Sequence, residues 1–539
     1  MPAWAPVQET VWAQAWAPVP ATERAPGWAL AWESARESAR ALARKSRARS
    51  VGVSLSRRVE RNAATQIAGR LYTSALAAII TAVVLPRRLT PYDFGIFAFY
   101  LSLHQMLQNV FDFGANTIVI REASRHRDAA GRLIGMLIGI KGSIAFLAML
   151  GIVGVAWVFE GPGDRFVLLA LAAVPMLFHA PAGAGTIFHV DMAFKWSTLA
   201  SVLGQSSWLI GTLALALAGV ERPAPYLIAF GLGTVVNGCL NYGWSRRFVE
   251  ITYDARRSDY WRLWKEAWPA GVSMTMASIY FFIDTAMLRP MQGEVAVARY
   301  SVAYRLMTFV LMVPVLFSNV LFPVFSRLWA LGEGSLRPFF QRSLRVLMAL
   351  GFTVLATVPL IAEQIMGVVY EPEYGVSAPV LMILSVAIAC VFAAYPHVLL
   401  LLASGHQRVM MVISTLGVGL NVGMNLWAIR RFGIAGAAWT TVATEAFVLV
   451  AAALCGWRLT GLRLDITSCV RPIVCAAGGG LALAATLRLA PDLADGWCVL
   501  AGLAAAALSV LAAGILPLDL GTEEGAPTDR GDRPTEDAG

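Results

Sequence analysis

The sequence predicts an all-α polytopic membrane protein with about 14 transmembrane helices. Three observations predict it. Of 539 residues, 57% are hydrophobic and only 14% charged, against about 25% charged in a typical soluble domain. Apolar runs of about 20 residues recur from Gln66 almost to the C-terminus, each long enough to cross a ~30 Å hydrocarbon layer at 1.5 Å per residue. These runs are continuous rather than alternating, which argues against a membrane β-barrel and leaves helices to satisfy the backbone in lipid.

The same composition excludes several function classes. No stretch between the spans is long enough for a separate soluble domain. The net charge of +9 forms no basic stripe on a soluble module, so nucleic-acid binding is not expected. Cys239, Cys390, Cys455, Cys469, Cys475 and Cys498 lie in or beside apolar spans with no CxxC or Cys/His ligand spacing. They read as small packing residues, and neither a metal nor a cofactor is expected.

Along the chain, residues 1–56 are rich in Ala, Pro and Arg and carry five tryptophans, Trp4, Trp12, Trp16, Trp28 and Trp32. This N-terminal extension reads as disordered or interfacial, either a Trp/Arg segment lying on anionic lipid or an upstream extension of a start placed too early. By hydropathy the spans then run approximately 66–85, 95–113, 133–158, 166–187, 197–219, 225–243, 267–288, 301–326, 345–366, 378–403, 408–428, 434–456, 469–488 and 497–517. The longest connection, 244–266, carries Trp261, Trp264 and Trp268 near Arg262 and Lys265, which suggests a headgroup-level helix joining two halves. The acidic tail, 521–539, reads as disordered.

LPRRLTPYDFGIFAFYLSL, from Leu85, aligns without a gap against LRPMQGEVAVARYSVAYRL, from Leu288. The identities are few, yet they pair the turn between spans one and two with that between seven and eight. The expected organisation is therefore an N-lobe over 57–243, a linker over 244–266, a C-lobe over 267–456, two further helices over 457–520, and a pseudo-twofold axis along the membrane normal. About 22 Lys and Arg fall on one side of the membrane against about 8 on the other. The positive-inside rule then puts both termini in the cytoplasm.

Several stretches resemble one family, the polysaccharide-export flippases or O-antigen transporters of the multidrug/oligosaccharidyl-lipid/polysaccharide exporter superfamily. They are RNAATQIAGRLYTSALAAIITAVVLPRRLTPYDFGIFAFYLSL (61–103) with DFGANTIVIREASR (112–125), IDTAMLRPMQGEVAVARYSVAYRL (283–306) with LFPVFSRL (321–328), EPEYGVSAPVLMIL (371–384), and GVGLNVGMNLWAIRRFGIAGAAWTTVATE (417–445). The resemblance covers about 57–460; the last two spans match by hydropathy alone. It implies two lobes around a central cavity, and transfer of a polyprenyl-diphosphate-linked oligosaccharide from the cytoplasmic to the outer leaflet of a bacterial cytoplasmic membrane. The partners it implies are that lipid-linked oligosaccharide, membrane lipids and other polysaccharide assembly proteins. Diphosphate and sugars need a polar, cation-bearing enclosure to cross hydrocarbon, and alternating access supplies one without covalent chemistry.

The candidate residues each admit two readings. Lys141 lies about 12 Å inside span three and Arg70 about one turn inside span one; each either snorkels to the interface or faces the cavity and binds diphosphate, with Arg305 in span eight as a third cation. Tyr100, His104, Gln108 and Asp112 recur at four-residue steps on one face of span two, which lines the cavity or binds a neighbouring helix. Asn237 with Asn241, and Asn421 with Asn425, are weaker pairs of the same kind. Glu445 in span 12 reads either as a proton or sodium site driving antiport or as a protonated side chain hydrogen-bonded to a neighbour. Asp284 near the end of span seven and Arg305 near the start of span eight come to similar depth, so an ion pair is expected, a static lock or an outer-gate contact.

A cation-coupled multidrug antiporter of the same superfamily is the nearest alternative, but cations inside the first half favour an anionic cargo. A membrane glycosyltransferase or polymerase would need acidic residues on a sizeable outer loop, and the outer loops are short. No Walker A sequence is present.

Overall fold

The computed structural model describes residues 65–512 apart from 67, 113, 463–465 and 492–493. The readings of 1–56 and 521–539 lie outside the described residues.

Proline and its neighbours set the first boundaries. Helix α1 (Ala68–Val84) finishes in a π-helical stretch, Ile79–Val84, just before Pro86. Helix α2 (Pro91–Asp112) starts with Pro at its first position, where no intrahelical donor is needed. Thr90 caps it, accepting from Asp93 N–H at 3.2 Å and donating its hydroxyl to Asp93 Oδ2 at 2.8 Å. The amphipathic α3 (Ala115–Arg125) and the long α4 (Ala130–Glu160) follow.

Span four is not one helix. It runs as α5 (Asp164–Ala173), a 3₁₀ segment Val174–Phe178, α6 (His179–Ala182), a second 3₁₀ segment Gly183–Gly185, and α7 (Thr186–Val190). Pro175 and Pro181 each remove a backbone donor, and two glycines weaken the helix further. Helices α8 (Lys195–Leu217) and α9 (Pro223–Ser245) complete the first half.

The second half contains α10 (Arg257–Gln292), α11 (Glu294–Leu331), α12 (Glu333–Val369), α13 (Ala378–Ala403) and α14 (Gln407–Thr460). Helix α14 turns at Gly433 (φ 58°, ψ −136°) and so supplies both the eleventh and twelfth expected spans. The last two, α15 (Ile466–Leu489) and α16 (Asp495–Ala512), pack on each other and on α12. Among the described residues the elements are helical, and ten helices are long and apolar enough to cross a membrane. Helices α1, α2 and α10 stand at the first, second and seventh expected positions.

The halves meet mainly where α2 packs against α10 and α11. The largest apolar cluster crosses that seam, from Phe94 and Phe97 through Tyr300 and Met307 to Leu384 and Phe392. The connection between the halves, by contrast, lies against the first half. A Cβ at Gly131 would stand 2.0 Å from Glu250 O, and one at Gly135 would stand 1.9 Å from Thr252 O, so only glycine lets this strand lie on α4. Arg127 fastens the same strand by donating to Phe248 O at 2.9 Å while pairing with Asp191 at 2.8 Å. Helix α10 then runs unbroken from Arg257, so the end of the expected linker, from Arg257 to Glu266, is continuous with span seven.

Candidate functional site

Two buried polar sites lie in the bundle, one in each half. The first is a cavity of about 410 Å³ whose lining includes His104, Gln108, Lys141, His179, Gln205 and Trp208. Lys141 is only 6% exposed, so its depth on α4 places it inside the bundle rather than at a lipid-facing surface. His104 Nε2 and His179 Nε2 lie 3.1 Å apart, joining α2 to the broken fourth span. That break is what aims His179 and Ala182 at the cavity, since irregular backbone at membrane depth is tolerated where it lines a polar space.

The wall is under-satisfied. Gln105 Oε1, Gln205 Nε2 and Trp208 Nε1 are buried without a hydrogen-bond partner, and all three residues line the cavity. Buried orphan donors and acceptors cost free energy unless something completes them. No carboxylate stands among the cavity's described lining residues. The surface therefore offers one ammonium, amides, imidazoles and an indole N–H, which suits hydroxyl-rich and anionic matter.

The sequence candidates distribute unevenly around this cavity. His104, Gln108, Lys141 and Asn237 line it, and Asn241 supports Asn237 by donating to its Oδ1 at 3.1 Å. Tyr100, one turn from His104, instead faces Arg289, whose guanidinium carbon lies 5.4 Å from its ring centroid. Arg70 is exposed on α1 and is not in the lining. The Asp112 side chain lies outside the described residues.

The second site surrounds Asp284 on α10, which is 3% exposed. Its Oδ2 accepts from Tyr300 OH and Thr441 Oγ1, each at 2.8 Å, and its Oδ1 accepts from Asn425 Nδ2 at 2.6 Å. Asn425 Nδ2 also donates to Asn421 Oδ1 at 2.9 Å. This corrects the expected pairing: no ion pair joins Asp284 to Arg305 among the described residues, and neutral donors hold the carboxylate. Arg305 lies half-buried on α11 near Tyr304 and Tyr370. The equal-depth argument did not specify azimuth, and Tyr300 and Thr441 occupy the side of α10 that Asp284 faces.

Asn425 Oδ1 is a buried acceptor with no donor. It adds one more oxygen to a buried region that already holds a carboxylate and two hydroxyls. Glu445, 6% exposed, lies one turn beyond Thr441 on α14 and interacts electrostatically with Asp284 and Tyr280. Tyr300 and Thr441 escaped the sequence reading because a lone hydroxyl in an apolar span carries no pattern. His179, Gln105, Gln205 and Trp208 escaped it because each is a single polar group in an apolar span without a periodic partner.

The comparisons agree with this architecture. Residues 60–329, half of the chain, match the family model described as polysaccharide biosynthesis protein, and residues 269–427 match the MatE model. The chain belongs to the polysaccharide biosynthesis protein family. It is a multi-pass membrane transporter of the multidrug/oligosaccharidyl-lipid/polysaccharide exporter superfamily. A relative of this family member, the EPS I polysaccharide export inner membrane protein EpsE of Ralstonia solanacearum, is 23% identical over 331 residues, 60% of this chain and 76% of the relative. Its fold resembles lipid II flippase MurJ in an inward closed conformation, at a TM-score of 0.67 and 12% identity, over 83% of this chain and 97% of MurJ. An inward-facing multidrug resistance MATE family transporter is similar at a TM-score of 0.61 and 15% identity, over 74% and 98% of the two chains.

Proposed function

We propose that this protein is a flippase that moves a polyprenyl-diphosphate-linked oligosaccharide from the cytoplasmic to the outer leaflet of a bacterial cytoplasmic membrane, for cell-surface polysaccharide synthesis. The observation that carries the reading is Lys141, buried in a cavity lined by amides, imidazoles and hydroxyls. An ammonium at that depth repels a cationic drug and attracts an anionic glycan or diphosphate. The lipid tail stays in the bilayer, so only polar matter needs the enclosure.

Movement is by alternating access, with His104 and Gln108 contacting sugar and with Arg70 and Arg305 as cations nearer the cavity mouths. Coupling falls to the second half. Asp284, with Asn425, Thr441 and Tyr300 around it, would hold a proton or sodium ion, whose charge would compensate the carboxylate; Glu445 and Asp112 are further acidic groups in this role. The N- and C-termini are cytoplasmic on this reading, which rests on the loop charges.

Replacing Lys141 by Met keeps the stem and removes the charge. Surface polysaccharide should be lost while the protein inserts at parental levels, and lipid-linked oligosaccharide should accumulate in the inner leaflet. Parental export in that variant would overturn the cation-cavity reading. The MatE match over 269–427 makes drug efflux the alternative, and drug resistance that follows expression with no effect on glycan export would favour it.

A further inference from the structure

We propose that Arg289 is the latch of a gate between the two halves, on the face of the bundle away from the basic loops. The idea rests on the alternating-access reading but not on the nature of the cargo. Arg289 stands near the end of α10, in the second half, and is 4% exposed. Its Nη2 donates to Glu160 Oε1 at the end of α4, in the first half. It also donates through Nη2 to Glu294 Oε1 on α11, at 3.2 Å.

The guanidinium is boxed by rings. Its carbon lies 4.7 Å from the Phe99 centroid, 4.8 Å from Phe159 and 5.4 Å from Tyr100, all from the first half. Cation–π contact of this kind is strongest where water is excluded. One side chain of the second half is thus held by a carboxylate and three rings of the first.

Nearby contacts close the same end. A Cβ on Gly95 of α2 would stand 1.9 Å from Glu294 O, so the two backbones touch there. Phe94 meets Tyr374 edge to face at a centroid distance of 6.2 Å. Arg87 donates to Val368 O and Val369 O at 3.2 Å, crossing from the first half to the second.

The latch is closed without being saturated. Arg289 Nη1 is buried and has no acceptor, and two carboxylates share one cation. A buried cluster left charged and incomplete gains from hydration once the halves part, which is the balance a two-state contact needs. Glu160 supplies the only carboxylate of the three-residue cluster that comes from the first half, so the ionic hold between halves passes through it, while Glu294 moves with Arg289.

That asymmetry gives the test. Ala98 is 1% exposed, one turn along α2 from Gly95 and Phe94, and sits in the closed seam. In a full-length chain with its six native cysteines replaced by serine, Ala98→Cys is placed in lipid nanodiscs and treated with a membrane-impermeant maleimide. Labelling should be slow in the parent, rise about tenfold with Glu160→Gln or Arg289→Met, and stay slow with Glu294→Gln. Parental labelling in the Glu160→Gln variant would overturn the latch, whether or not Arg289→Met folds. Equal acceleration by Glu294→Gln would also overturn it, by showing a local rather than an interlobe hold. No glycan is used, so the result is independent of the substrate assignment.

Discussion

Thr441 Oγ1 donates to Asp284 Oδ2 at 2.8 Å, across 157 positions of chain. With the Asn425 amide on the other carboxylate oxygen, this hydroxyl ties α14 to α10 and makes a buried carboxylate part of the packing of the second half. Thr441→Val is nearly isosteric and removes that donor. It should lower stability by about 1.5–3 kcal/mol, the usual worth of a hydrogen bond to a charged group, read as a fall in the thermal unfolding midpoint of the detergent-solubilised protein.

Asp284→Asn should keep the fold, since an amide of the same shape can still accept from Tyr300 and Thr441. Transport in proteoliposomes should lose its response to sodium and pH gradients. A full gradient response in this variant would take the coupling role away from Asp284.

Glu445→Gln separates the two acids of the second half. With Asp284 holding the oxygen-rich site, Glu445 is expected to tune rather than carry coupling, so the variant should transport with a weakened gradient response. Complete loss, with Asp284→Asn unaffected, would reverse the assignment.

Arg70 and Lys141 should behave differently. Lys141 lines the cavity, and losing a charged hydrogen bond to an anionic cargo is worth about 10- to 100-fold in affinity. Arg70 is exposed outside the described lining, so Arg70→Ala should reduce export by about twofold or less, by analogy with surface charges generally. Quantifying surface polysaccharide in the two alanine variants side by side checks the contrast.

Much of the architecture was legible because lipid forces it. A 20-residue apolar run has few alternatives to a helix, and hydropathy alone separated the eleventh and twelfth spans on either side of the turn at Gly433. The polar stripe on α2 was legible from its four-residue spacing, and His104 and Gln108 do line the cavity. The partners of those residues were not. Depth along a helix can be counted from sequence, whereas azimuth depends on how helices pack, which is why Asp284 was assigned to Arg305 and proved to face Tyr300, Asn425 and Thr441. Arg289 and Glu160 sit at span ends, where charge is ordinary, and only their burial sets them apart.

The glycine groove of α4 bears on how the chain could be engineered. Segments between two halves of a transporter are natural places to insert a reporter or to split a gene. Here the strand from Phe248 to Thr252 is clamped by Arg127 and by the backbone at Gly131 and Gly135, so it belongs mechanically to the first half. A tag spliced into it should misfold the helix it covers, and a two-fragment version of the protein should assemble only when the cut leaves that strand attached to α9.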